Sequence, residues 1–283
     1  MRAAGCVFAE DEARLLLDEA RDAAQLERLV ARRVAGEPLE YVLGWVEFAG
    51  LRLAVAPGVF VPRRRTELLL ELAQEAVSIR AARESTSGDT ARESTSGGAA
   101  RESAGGPPGG STRRSRMETA PSLLEVCCGV APVATAVKRR MPEASVVASD
   151  LDPAAVAVAR TNLETLGGTV VEGDLFAALS GGRFDVIVAN APYVPSSEVV
   201  NMPREAREFE HPLALDGGDD GLALHRRIAD EAAAWLAPGG TVLVETSRRQ
   251  APRDREIFEA HGWRVELVRD DELDATAVRA TRP

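Results

Sequence analysis

The stretch Leu123-Leu124-Glu125-Val126-Cys127-Cys128-Gly129-Val130-Ala131-Pro132 decides the fold of this 283-residue chain. Leu123 to Cys127 is a short apolar run that reads as a buried strand, and Pro132 to Arg140 reads as the helix that follows it. Small residues in the turn between them let the backbone approach a ligand and aim a helix N-terminus at it. Only one glycine, Gly129, stands where such loops usually carry two or three. Taken alone, the turn is equally well explained as a tight strand-to-helix connection.

The alternation continues toward the C-terminus. Strands are expected at Ser145 to Ser149, Thr169 to Asp174, Phe184 to Ala189, Thr241 to Glu245 and Trp263 to Val268. Helices are expected at Pro153 to Leu166, Leu222 to Trp235 and Asp254 to Ala260. Apolar strands separated by helices predict an α/β fold, a mostly parallel, doubly wound sheet, with the last strands closing as an antiparallel edge. In such sheets ligands lie beyond the carboxyl ends of the strands near the switch in strand order.

Toward the N-terminus, Glu10 to Ala35 carries helical apolar spacing in two short blocks, ended by Gly36-Glu37-Pro38. Tyr41 to Val61 alternates apolar and polar residues around Gly50, as a β-hairpin does. Thr66 is placed to cap a helix running to about Arg80. Residues 81–119 differ in kind: Ala-Arg-Glu-Ser-Thr-Ser-Gly stands at 82–88 and again at 91–97, and the stretch ends in Gly105-Gly106-Pro107-Pro108-Gly109-Gly110. So polar a composition predicts a flexible insertion. The expected organisation is a helical segment over 1–40, a hairpin and connecting helix over 41–80, the insertion over 81–119, and the α/β domain over 120–283.

Composition narrows the classes. The formal net charge of −10 argues against a nucleic-acid partner, which needs a broad positive field, although Arg63-Arg64-Arg65 is a local basic run. Cys6, Cys127 and Cys128 form no disulfide framework and no Cys-x-x-Cys pair, and with 3 His residues no metal centre is expected. Met1-Arg2-Ala3-Ala4 begins no long apolar run, so neither a leader nor a membrane span is expected, and a reducing cytoplasmic location follows as the default.

Three strand ends carry the chemistry. Asp150 closes the second strand about 20 residues beyond Gly129, where a carboxylate accepts hydrogen bonds from ribose hydroxyls. Its alternative role, capping the next helix, suits Asp152 before Pro153 better. Asp174 and Leu175 follow the third strand, placed to meet an adenine ring by its amine and its face, or simply to turn the chain. The fourth strand ends in Asn190-Ala191-Pro192-Tyr193. A polar Asn at the mouth of the sheet, a proline and a flat aromatic ring suit a planar group bearing an NH₂. With its hydrogens accepted by the Asn oxygen and a main-chain carbonyl, such a nitrogen gains charge and is aimed at a sulfonium methyl. An Asn-containing turn is the plainer alternative.

These residues resemble the protein-(glutamine-N(5)) methyltransferases that modify peptide-chain release factors. The resemblance runs through Gly36-Glu37-Pro38-Leu39-Glu40-Tyr41-Val42-Leu43-Gly44, Val61-Pro62-Arg63, Thr66-Glu67, the regions of Gly129, Asp150 and Asn190, then His211-Pro212, Gly217-Gly218, Asp220-Gly221-Leu222, Pro238-Gly239-Gly240 and Gln250. It implies a Rossmann-like S-adenosylmethionine-dependent methyltransferase sheet with a small N-terminal helical domain and a connecting β-hairpin. It further implies that Cys127, Cys128, Gly129, Val130, Ala131, Asp150 and Leu175 line the S-adenosyl-L-methionine site, to which Asp174 and Asn190 are added as strand-end residues, and that Asn190, Ala191, Pro192 and Tyr193 hold the substrate amide. The implied partner is a protein, a release factor, and methyl transfer without a metal is implied; a monomer is only the default expectation. The chain departs from the family pattern in four places: Ala131-Pro132 in the glycine loop, Ala191 for the first proline, Thr246-Ser247 after Glu245, and a short N-terminal segment. Methylation of an exocyclic amine on a nucleobase or small metabolite, and a catalytically inactive cofactor-binding protein, stay open as alternatives.

Overall fold

In the computed structural model, which describes residues 8–93 and 120–282, a seven-stranded sheet is buried on both faces along its central strands. The strands are β3 (Ser122–Val126), β4 (Ser145–Asp150), β5 (Thr169–Glu172), β6 (Phe184–Ala189), β7 (Leu236–Glu245), β8 (Arg264–Asp270) and β9 (Ala275–Thr281). Side chains alternate across a strand, so neighbours enter opposite cores. Leu123, Val186 and Val188 face one apolar cluster, while Leu124 and Ile187 face the other. That double burial is why β3 and β6 are mostly apolar rather than alternating, with Glu125 and Asp185 as the buried charged exceptions.

The strand order is β5-β4-β3-β6-β7-β9-β8. The chain starts at β3, steps outward through β4 to β5, then returns to the other side of β3 with β6. Those pairings and β6 with β7 are parallel. The doubly wound α/β expectation is met, with the switch in order between β4 and β6. The antiparallel strand is β9, and it lies between β7 and β8 rather than at the edge. Its sequence, Ala275-Thr276-Ala277-Val278-Arg279-Ala280-Thr281, is rich in alanine, which carries little β propensity. It went unrecognised in the sequence because its place depends on two flanking strands.

The helices are α1 (Ala9–Glu19), α2 (Ala23–Val34), α3 (Leu39–Leu43), α4 (Glu67–Glu93), α5 (Pro132–Arg140), α6 (Pro153–Leu163), α7 (Arg204–Phe209), α8 (Ala223–Glu231) and α9 (Ala251–Ala260). Asp152 caps α6 through the Ala154 N–H, as expected. Several boundaries differ from the sequence expectation. Strand β7 begins at Leu236 rather than Thr241, α9 begins at Ala251 and α8 ends at Glu231. Two further differences lie toward the N-terminus. Leu39–Leu43 is helical rather than part of the hairpin. Helix α4 continues past Arg80 to Glu93, so its backbone includes the first copy of the repeat. Ala, Arg and Glu in that copy favour a helix once a long one is already nucleated. The remainder of the expected insertion, 94–119, lies outside the described residues.

The hairpin pairs β1 (Trp45–Phe48) with β2 (Leu51–Ala54). Ala49 and Gly50 turn the chain with φ of 50° and 79°, the doubly left-handed geometry of a two-residue hairpin loop. Asn162 of α6 ties this hairpin to the sheet: its Oδ1 accepts the Ala54 N–H at 2.8 Å, and its Nδ2 donates to the Ala54 and Val130 carbonyls at 3.1 and 2.9 Å. Among the described residues, no helix is long and apolar enough to cross a membrane.

Candidate active site

A cavity of about 330 Å³ opens at the carboxyl ends of β3, β4, β5 and β6, within the span of about 300–1,000 Å³ that small-molecule sites occupy. Cys127, Cys128, Gly129, Val130, Asp150, Asp174, Leu175, Asn190, Ala191, Pro192 and Tyr193 all line it. Ala131, the remaining predicted site residue, does not. Its methyl group is fully buried in the core behind the loop, where it ends the turn as the left-handed residue before α5, with φ 58° and ψ 53°.

The loop after β3 is built from alternating left-handed residues: Cys127, Gly129 and Ala131 have φ of 51°, 54° and 58°. Nothing stands within 4 Å of where a Gly129 Cβ would be, so a side chain there would project into the cavity it lines. Asp150 pins this loop. Its Oδ2 accepts the Gly129 N–H at 2.7 Å and its Oδ1 the Asp152 N–H at 2.9 Å. Each oxygen keeps lone-pair capacity for a further donor. Burial raises the Asp150 pKa, opposed by those two N–H bonds.

The helix N-terminus meets the cavity at Pro132, but its first N–H groups are not free for a ligand. Pro132 has no N–H, and the next two donors are taken from beneath by Glu125, which accepts the Val133 and Ala134 N–H groups at 3.3 and 2.6 Å. Burial pushes the Glu125 pKa up to about 8, against those hydrogen bonds. Burial likewise raises both thiols, Cys127 and Cys128, so neither is a thiolate nucleophile.

At the far end, Asp174 pairs with Arg227 of α8 at 2.8 Å. Leu175, 3% exposed, holds a left-handed φ of 49°. Its carbonyl accepts the Ser149 hydroxyl at 2.9 Å. Both residues therefore arrive on a turn held from β4.

The Asn190 loop is fixed on three sides. Asn190 Nδ2 donates to the Thr66 hydroxyl at 3.1 Å, and the Tyr193 hydroxyl donates to Glu245 at 3.1 Å. Gln250 donates to the Tyr193 carbonyl at 2.9 Å and to the Asp220 carbonyl at 3.0 Å. At Gly217 a side chain would stand 2.6 Å from the Pro192 carbonyl, so glycine there lets the chain close over the loop. Burial and the neighbouring Glu245 carboxylate raise the Tyr193 pKa. Ala191 is buried at 1% exposure, and its methyl fills space in the core under the loop.

The sequence missed several lining residues. Phe60, Arg63 and Arg65 come from the segment after the hairpin, Met202 and Leu213 from the connection after β6, and Arg227 from α8. Thr66, expected as a helix cap, gives its hydroxyl hydrogen to Glu245 instead, at 2.7 Å. Arg63 and Thr66 stand in stretches that carry the family resemblance, but nothing local shows that they or the others reach the cavity, because each does so only through long-range packing. Among the described residues, no group of three or more His, Cys, Asp or Glu is placed to hold a metal ion.

A doubly wound sheet with a ligand cavity at its switch point, a carboxylate at the end of β4 and a polar loop after β6 define an S-adenosylmethionine-dependent methyltransferase of Rossmann-like fold. The open cradle at Gly129 and the acceptor pair of Asp150 fit a nucleoside-bearing cofactor. The family described as "Methyltransferase small domain" matches residues 114–208. A release factor glutamine methyltransferase of Geobacter sulfurreducens is 34% identical over 237 residues, covering 83% of this chain and 69% of its own. One from Deinococcus radiodurans is 34% identical over 255 residues, covering 89% of this chain and 77% of its own. A 4-amino-L-phenylalanine/4-methylamino-L-phenylalanine methyltransferase of Streptomyces pristinaespiralis is 33% identical over 236 residues, covering 82% and 69%. The chain belongs to the release factor glutamine methyltransferase family.

Proposed function

We propose that this enzyme methylates the side-chain amide nitrogen of a protein glutamine, the glutamine in the Gly-Gly-Gln loop of a peptide-chain release factor. The observation that carries the proposal is the orientation of Asn190. With its Nδ2 donating to Thr66, its Oδ1 is left as an acceptor at the wall of the cavity. A neutral amide nitrogen is a weak nucleophile because its lone pair is delocalised into the carbonyl. Asn190 Oδ1 and the Ala191 carbonyl accept the two amide hydrogens, hold the plane, and stabilise positive charge as it develops on nitrogen. The Tyr193 ring, held by its hydroxyl, supports the flat face of the amide. Bound S-adenosylmethionine supplies an electrophilic methyl group on a sulfonium. Asp150 would accept from its ribose, and Gly129 would give its backbone room. Asp174 and Leu175 would meet its adenine, with Arg227 holding the Asp174 carboxylate in place.

Likeness to the Streptomyces pristinaespiralis enzyme favours one second reading, a small aromatic amine as acceptor, since that group also presents a planar NH₂. Mass spectrometry of a release-factor domain incubated with the enzyme and S-adenosylmethionine separates the two. Methylation at the Gly-Gly-Gln glutamine is expected. An unmodified glutamine beside methylated 4-aminophenylalanine would transfer the assignment to the small amine.

A further inference from the structure

The reacting loop rests on a hydrogen-bond chain whose direction is decided at its far end. Glu245, at the end of β7, is 2% exposed, and Thr66 is 1% exposed. Glu245 Oε2 accepts the Thr66 hydroxyl at 2.7 Å, and its Oε1 accepts the Tyr193 hydroxyl at 3.1 Å. Arg65 Nε stands 3.3 Å from Oε1, which keeps a positive charge beside the buried carboxylate. A hydroxyl has one hydrogen. Once Thr66 gives it to Glu245, the hydroxyl offers Asn190 only lone pairs, and the group that fits there is the Asn190 NH₂, seen at 3.1 Å.

An asparagine side chain is nearly symmetric in shape, so packing alone does not choose between its oxygen and its nitrogen. The flip matters here, because the cavity needs an acceptor for an N–H and not a second donor. Glu245 also receives the Tyr193 hydroxyl, so one carboxylate orders both ends of the four-residue loop.

We propose that Glu245 and Thr66 are positioning residues that set the flip of the Asn190 amide, turning its oxygen toward the methyl acceptor. This rests on the functional reading above, in which Asn190 Oδ1 takes a substrate hydrogen. Neither residue touches the reacting atoms; they act through Asn190. The chain carries polarity from the Glu245 carboxylate, whose pKa burial raises and whose charge the Thr66 and Tyr193 hydroxyls and Arg65 favour, to the substrate, so it can be reversed as a unit. In Asn190→Asp, two carboxylates compete for the single Thr66 hydrogen. Adding Glu245→Gln supplies an N–H to Thr66, which then donates toward the introduced carboxylate and restores one donor for every acceptor.

The test measures turnover with whichever of the two acceptors above the wild type methylates, and S-adenosylmethionine affinity by calorimetry. Thr66→Val, close in shape but without the hydroxyl, is expected to lower kcat by about 10- to 100-fold, less than the roughly 100- to 1,000-fold of deleting a preorganised contact outright because Asn190 itself remains, and to leave cofactor Kd within about threefold. Thr66→Ser should keep kcat within about threefold of wild type, which a purely steric role for the Thr66 methyl would not predict. Asn190→Asp should lose about 100-fold or more, and Asn190→Asp with Glu245→Gln should recover at least about tenfold of that loss, the non-additivity expected of one coupled network. Thr66→Val at wild-type turnover, Thr66→Ser as poor as Thr66→Val, or a double variant no better than Asn190→Asp would each overturn the positioning role. Asn190→Ala at wild-type turnover would instead overturn the functional reading beneath it.

Discussion

The Glu125 carboxylate accepts the Ala134 N–H at 2.6 Å, so helix α5 is capped by the strand that precedes it and not by its own first residue. Ala131 in the cap position has no side-chain oxygen, and Pro132 has no N–H. Glu125 compensates for both from inside the core, at the cost of burying a carboxyl group. In the folded chain that group titrates near 8, well above the ordinary carboxylate range of the unfolded chain. Between those values the folded state holds a proton that the unfolded state has released. Stability should therefore fall as pH rises from about 5 to about 8 and level off above. Urea midpoints across that range should slope downward in the wild type and more gently in Glu125→Gln. An equal slope in both would show that the titration lies elsewhere.

Ala131 occupies the left-handed region, where an L-residue with a side chain costs about 1–2 kcal/mol relative to glycine. Ala131→Gly removes that strain and also removes a buried methyl group, a loss of about 0.8 kcal/mol. A small net gain, below about 1 kcal/mol, is expected in denaturant unfolding. Ala131→Val adds β-branching to the same backbone and should cost more than about 2 kcal/mol. If valine were tolerated, the loop would not be held in the geometry described.

Asp150 serves the loop and, as proposed, the cofactor. Asp150→Asn keeps the shape but turns one acceptor into a donor facing a backbone N–H. The Kd for S-adenosylmethionine should rise by at least about tenfold, as loss of a charge-assisted hydrogen bond predicts, while kcat at saturating cofactor changes by less than about threefold. Unchanged calorimetric affinity would remove Asp150 from the cofactor site.

Asn162 makes three hydrogen bonds that join the hairpin to the carbonyl of Val130. Asn162→Ala leaves these backbone groups to water or unpaired, and a loss of about 2–3 kcal/mol follows. The melting temperature should drop, and hydrogen exchange at Ala54 should accelerate. Stability within about 0.5 kcal/mol of wild type, the scatter of an ordinary surface substitution, would mean that the hairpin is held by its apolar contacts alone.

The short range of strand and helix signals explains what was legible. Apart from Glu125 and Asp185, Leu123 to Val126 and Phe184 to Ala189 are apolar because both of their faces are covered, and that burial is written in consecutive residues. From them followed the sheet, the ends of its strands, and the places of Asp150, Asp174 and Asn190. Ala275–Thr281 carried no such signal, since a strand of small residues takes its place from its neighbours.

By itself, then, the sequence determined the doubly wound frame and the strand-end residues Asp150, Asp174 and Asn190 at its carboxyl edge, while Phe60, Arg63, Arg65, Met202, Leu213 and Arg227 joined the cavity only with the fold. The frame and those strand ends are signalled by residues a few positions apart, although the strands themselves pair over much longer separations. Tertiary structure alone decided how the loops are held. Glu125 lies beneath Ala134, Asn162 bridges the hairpin, and Thr66 and Glu245, 179 residues apart, meet beside Asn190. Hydrogen-bond partners so far apart leave no periodicity in a chain. Folding brings them into contact, and the direction of each bond then follows from how many hydrogens each group has to give.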